Sequence, residues 1–307
     1  MRGQKSVFGM QESKGCVLIA MVVAGLFAGC STPRPSTLDP EINLFAESAS
    51  AAYHRGEIKQ ASGLYQKALQ RARLIDAQDE VSRNAYNLAL CRLAEGKITE
   101  ARSLLQQAGA LSRVSGLETA RIHLAEAEVA RMSGDPAECQ KLVQEALAAG
   151  VDREGRVQAL VLQGEAECGS GRLPKAVEFY QAARSLVTDR TPALLGVRLD
   201  DLAVRLTQSK ALVADEAALQ ASRANGLKKA GQYKMMAVAL ECAAERYEQD
   251  SKWSDAFSCR IRAAQSLLAE GNREHATAMV RKAGELAERI GNAKYKALVA
   301  GLAADLK

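Results

Sequence analysis

"ALVLQGEAECGSGRLPKAVEFYQAARSL", residues 159–186, reads as two antiparallel helices that meet at a tight turn on Gly171. Glycine suits that position because it takes the backbone conformation that a helix end requires. Five other stretches align on a glycine in the same way. They are "GEIKQASGLYQKA" from Gly56, "GKITEARSLLQQA" from Gly96, "GDPAECQKLVQEA" from Gly134, "GQYKMMAVALECA" from Gly231 and "GNREHATAMVRKA" from Gly271.

The alignment has fixed columns. Twelve residues after each glycine stands alanine, at 68, 108, 146, 183, 243 and 283. Seven residues before it stands Ala49, Ala89, Ala127, Gly164, Ala224 or Ala264. Five after it the residue is again small in most units (Ala61, Ala101, Cys139, Ala176), with Met236 as the exception. Nine after it comes a larger side chain: Tyr65, Leu105, Val143, Tyr180, Leu240 or Val280. Small residues let the two helices of a pair approach closely, and the larger one fills the gap towards the next unit. One pair cannot bury its apolar face alone, so the pairs must stack.

This pattern resembles the tetratricopeptide repeat (TPR) over roughly residues 42–290. The resemblance implies an all-α, TPR-like solenoid of about six helical hairpins. Departures are visible: the family's first aromatic survives only as Phe45, the proline closing each unit is absent, and the first turn glycines are 40, 38 and 37 apart. Between Gly171 and Gly231 the gap widens to 60 residues. Residues 191–220 there read as continuous helix, with Leu194, Leu195, Leu199, Leu202 and Leu206 at helical spacing. We expect an inserted helix around 191–212 and a C-terminal capping helix over 292–307.

Composition agrees with this class. The 307 residues include 56 alanines, the strongest helix former, and only 4% aromatics, and nothing alternates like a half-buried strand.

The amino terminus carries a separate message. Arg2, Lys5 and Lys14 precede an apolar run, Gly15 to Cys30, that is shorter than the roughly 18–20 residues a spanning helix needs. "LFAGC", residues 26–30, resembles a bacterial lipobox, with Phe27 where leucine is usual. The resemblance implies cleavage after Gly29, lipid (palmitate-type acyl chains) on Cys30, and a membrane-anchored lipoprotein. Residues 1–29 are then a removable signal peptide, residues 30–41 a lipidated, Pro-rich tether, and residues 42–307 the TPR-like helical repeat domain. Ser31, in place of an aspartate, favours the outer membrane facing the periplasm by the enterobacterial sorting rule. Loss of the signal leaves 38 basic and 35 acidic residues, too even a balance for a nucleic-acid surface.

Five cysteines remain beside Cys16 and Cys30: Cys91, Cys139, Cys168, Cys242 and Cys259. None has metal-ligand spacing, and each reads first as a small buried side chain. Cys242 and Cys259 lie about equally far from a turn near Ser251, which makes a possible disulfide in an oxidising compartment. No metal or other cofactor is implied.

In the tetratricopeptide family the first helix of each pair lines a concave groove that holds peptides or partner helices. Carried onto this sequence, that face falls thirteen, ten, six and three residues before each glycine. The candidate binding residues on it are Tyr53, Arg83, Tyr86, Arg121, Glu128, Arg131, Gln158, Glu165, Asn225 and Lys228, while Asn43, Ser50, Ser258 and Gln265 hold further polar positions of the same face. Tyrosine and arginine are frequent binding hot spots, although helix charges also pair locally. The Lys/Asn set by which chaperone-binding repeats clamp a carboxylate is not reproduced.

An enzyme is not expected. There is no nucleophile elbow, phosphate loop or zinc-binding H-E-x-x-H. Glu165 and Glu167, two apart on a helix, face different ways. The sequence therefore points to a non-catalytic protein–protein scaffold or adaptor in the bacterial cell envelope. It would serve outer-membrane, secretion, pilus or cell-wall machinery through envelope proteins or peptides held in the groove. The alternative is an accessory protein that binds or acts on cell-wall glycan.

Overall fold

A computed structural model describes residues 39–111 and 116–306, and among them every regular element is an α-helix. Cys30, the lipobox-like residues 26–30 and the expected tether up to Leu38 lie outside the described residues. The described residues divide into two compact units, 39–53 with Glu57–Leu111, and His54–Gly56 with 116–306. The fold is an all-α, TPR-like array of helical hairpins.

The first unit contains α1 (Pro40–His54), α2 (Ile58–Leu74), α3 (Gln78–Ala94) and α4 (Ile98–Leu111). Asp39 starts α1 by accepting from the Glu41 amide at 2.8 Å, and it also accepts from Arg71 Nε of α2 at 2.7 Å. The second unit contains α5 (Gly116–Met132), α6 (Pro136–Ala149), α7 (Arg153–Gly169), α8 (Leu173–Leu186), α9 (Ala193–Gln208) and α10 (Glu216–Lys229). It continues with α11 (Tyr233–Gln249), α12 (Trp253–Ala269), α13 (Arg273–Ile290) and α14 (Ala293–Asp305).

All six aligned glycines adopt left-handed backbone, with φ between +70° and +78°. At Gly96 the local bonding shows why. Gly96 N–H donates to Leu93 O at 3.0 Å and Lys97 N–H to Arg92 O at 2.8 Å, so the last carbonyls of α3 are satisfied as the chain reverses. An L side chain at that φ is strained; glycine is not.

The small columns are the seams of the hairpins. The six alanines twelve residues after the glycines are all fully buried. So are the five alanines seven residues before them. The sixth member, Gly164, explains itself: a Cβ there would come within 2.8 Å of Leu202 Cδ2 on α9. On the other flank of α9, a Cβ on Gly226 of α10 would meet Val197 Cγ2 at 2.7 Å. The extra helix is thus wedged between α7 and α10, with a glycine on each side.

The inserted segment forms α9 where the leucine spacing places it, but residues 191–220 are not one helix. Gln208 ends α9, and Lys210 takes a left-handed φ of +58° while the Ala211 and Leu212 amides both bond to Leu206 O. Asp215 then starts α10 by accepting from the Ala218 amide at 3.0 Å. The break follows from local capping, which overrides the apolar period. Leu195 and Leu199 pack with Val157, Val161 and Ala183, and Leu202 and Leu206 with Ala176. Burying each leucine is worth about 1.5–3 kcal/mol, so α9 is core rather than an appendage.

At the other end α14 closes the last hairpin, with the Tyr295 ring stacked 4.0 Å from that of Phe257. No described helix is long and apolar enough to cross a membrane.

Candidate functional site

The face expected to line a groove has different surroundings in different parts of the chain. In the first unit Tyr53 and Tyr86 are buried, while Arg83 is half-buried. Arg83 Nη2 donates to Glu80 Oε1 at 2.6 Å, one turn back on its own helix. Burial pushes the Glu80 carboxyl up, and the Arg83 charge only partly offsets this.

In the second unit the stripe on α7 is covered by α9, from which Arg198 also reaches Glu128 on α5. Glu128 is 0% exposed and Glu165 only 7%. Arg198, reaching in from α9 and itself 1% exposed, donates from Nη2 to Glu128 Oε2 at 2.6 Å and from Nε to Glu165 Oε1 at 2.9 Å. Arg198 Nη2 also pairs with Glu165 Oε2. Arg131 donates to Glu128 Oε1 at 2.5 Å and stands 3.3 Å from Glu165. Arg205, one helical heptad after Arg198, reaches Glu165 Oε1 at 3.2 Å. Three guanidiniums therefore enclose two carboxylates.

The electrostatics follow from that geometry. Burial pushes the Glu165 carboxyl up, but Arg198 and Arg131 outweigh it and hold the group at about 2. Glu128 is lowered in the same way, against its own burial, by Arg131 and Arg198. A general acid needs the opposite shift, so these carboxylates hold structure together instead of donating protons. Cys139, beneath the cluster, is pushed up to about 11 by burial and stays a thiol at neutral pH. On the far side of α9, Asp201 stands 2.6 Å from Arg223 Nε of α10, and burial raises its carboxyl to about 6.

The remaining stripe residues divide similarly. Gln158 is buried, and its Nε2 has no hydrogen-bond partner among the described residues. Arg121 is half-buried, 3.7 Å from Asp152. Asn225 and Lys228 on α10 are exposed, as are Ser258 and Gln265 at the matching positions of α12. Arg262 Nη2 of α12 donates to Asn225 Oδ1 at 2.6 Å and links the two helices across this open face.

Glu128, Arg131 and Glu165 are thus brought together, but around an arginine that the groove pattern does not contain. Arg198 has a legible signal all the same: it lies three residues after Leu195 and four before Leu202, inside the apolar stripe of its helix. A charge in that position needs a buried counter-charge.

Cys242 and Cys259 are both free thiols, so the possible disulfide is not formed here. Their surroundings differ. Cys242 is half-buried near Glu245, Arg223 and Glu241, whereas Cys259 is in the core near Arg262, Asp255 and Arg260. Among the described residues no group of three or more His, Cys, Asp or Glu side chains could hold a metal ion.

No protein-family model matches the chain, and no curated protein matches it in sequence. Among solved structures it is similar to a chain in the crystal structure of the APC/C hetero-tetramer Cut9-Hcn1, at 14% identity and a TM-score of 0.39. The alignment covers 96% of this chain and 57% of that one, so this chain spans little more than half of that neighbour's length.

Proposed function

We propose that this chain is a lipid-anchored, non-catalytic adaptor of the bacterial cell envelope, moored through Cys30 and binding a protein partner along α10 and α12. The observation that carries the reading is the open face there. Asn225, Lys228, Ser258 and Gln265 are exposed at the repeat positions whose counterparts on α5 and α7 are largely consumed by packing. Exposed polar side chains on two linked, rigid helices provide a surface of fixed spacing, which limits the ordering cost of binding. The lipobox-like "LFAGC" and the Pro-rich segment after it support the mooring, and Ser31 supports placement at the outer membrane facing the periplasm.

Two measurements test the two halves. Radiolabelled palmitate should enter the protein in cells, and Cys30→Ser should abolish labelling and release the chain from membranes; equal labelling of the serine variant sinks the anchor. A photo-crosslinking residue at Ser258 or Gln265 should trap one defined envelope protein, and Lys228→Glu should reduce that adduct. Crosslinking that is absent, or unchanged by the reversal, sinks the binding face.

A further inference from the structure

The last described helix, α14, turns a run of small and apolar side chains to solvent between charged ends. Its inner side is spent on the chain: Tyr295 stacks on Phe257, Val299 lies against Gly284 of α13, and Leu302 is buried. Lys296 leans back to pair with Glu288 of α13. The outer side is Ala297, Leu298, Ala300, Gly301 and Ala304, all exposed, with Leu298 44% open to solvent. Charges bound this surface at its two ends, Lys294 near the start of the helix and Asp305 at its end, and among the described residues neither has an ion-pair partner.

The order of these residues identifies an occupant. Lys294, Leu298, Gly301 and Asp305 follow one another at spacings of four, three and four, so they form one stripe along the helix. The spacing reads the same from either end, while the chemistry inverts. Laid antiparallel on itself about a two-fold axis between Leu298 and Gly301, the stripe sets each Lys294 opposite the other copy's Asp305. Each Leu298 then faces the gap over the other copy's Gly301. A bulky side chain meets a bare backbone, and positive meets negative, at both ends at once. Such self-complementarity is what a two-fold interface requires.

We propose that α14 is a homodimerisation surface whose occupant is the α14 of a second copy. Glycine and alanine at the crossing permit the short end of the usual 8–10 Å separation between packed helices. A helix of about 20 Å buries less than a standard interface, so the dimer is weak and reversible. This inference is independent of the partner face on α10 and α12, since a monomer could still bind there.

The test is sedimentation equilibrium of the full chain in detergent across a concentration series. Wild type should self-associate. Lys294→Glu and Asp305→Lys, each alone, place like charges at both ends of the pair and should weaken association about tenfold. Mixed in equal amounts, the two variants regain opposite charges at both ends, and association should return to near the wild-type level. These positions are exposed, so helical circular dichroism should be unchanged. A wild type that stays monomeric to the highest soluble concentration overturns the proposal. So does association that ignores both reversals, or a mixture no stronger than its components.

Discussion

Two parts of the second unit present the same repeat face to different neighbours. On α7 the face lies under α9, and Glu165 there and Glu128 on α5 close on Arg198. On α10 and α12 no further helix among the described residues covers it, and Asn225, Lys228, Ser258 and Gln265 are exposed. A polar stripe at repeat spacing is thus neither a groove nor a core by itself. The next helix decides which, and here the inserted helix buries the face of α7 and draws Glu128 of α5 into the same ion cluster.

The largest expected effect comes from breaking the covered half at its centre. Arg198→Met leaves two buried carboxylates with fewer counter-charges, and removing one partner of a buried ion pair costs about 3–5 kcal/mol. Urea unfolding at neutral pH should show that loss. Adding Glu128→Gln, Glu165→Leu and Arg131→Met to Arg198→Met should recover most of it, because no buried charge is then left without a partner. In the open half, Arg262→Met removes only a bond to exposed Asn225 and should cost about 0.5 kcal/mol. Equal losses for Arg198→Met and Arg262→Met would remove the distinction between the halves.

Acid titration sharpens the same contrast. Glu165 is held at about 2 in the folded chain against an ordinary 4.5. Its stabilisation is therefore complete above about pH 4.5 and lost as pH falls towards 2, on the order of 3 kcal/mol in all. Asp201 acts in the opposite direction: its folded value of about 6 exceeds the ordinary 3.8, so its contribution falls as pH rises from about 4 to 6. Unfolding free energies measured from pH 3 to 7 should flatten below 4.5 in Glu165→Gln and between 4 and 6 in Asp201→Asn. Curves parallel to wild type in both variants would contradict the burial of these groups.

How much of this could be read beforehand depended on the range of the interaction. The hairpins were legible because a turn glycine and a buried alanine are required within one unit, at fixed distances along the chain. Arg198 was not assigned to the acids because Glu128 lies 70 residues away from it. Its partner is set by how α9 seats on α7, which no local period encodes. The clue in the residues was negative: an arginine inside a leucine stripe, and a glycine where five other units have alanine. The misread continuous helix over 191–220 failed for the converse reason, since capping at Lys210 and Asp215 is more local than the leucine period that suggested continuity.

An effect smaller than that of Arg198→Met lies at the boundary between the covered and the open face, where α9 meets α10. A methyl group on Gly226 would stand 2.7 Å from Val197 Cγ2 and 3.4 Å from Ala193 O. Val197 is β-branched and held in one rotamer within its helix, so it cannot swing aside. Overpacking of this kind costs about 1–3 kcal/mol, and replacing a mid-helix glycine returns up to about 1, leaving Gly226→Ala net destabilised by about 1 kcal/mol. Gly164→Ala meets instead the far end of Leu202, a flexible side chain, at 2.8 Å. There the gain in helix propensity should nearly cancel the strain. Paired urea titrations should therefore rank Gly226→Ala below Gly164→Ala, and the reverse order would mean that α9 is anchored on α7 rather than seated between two glycines.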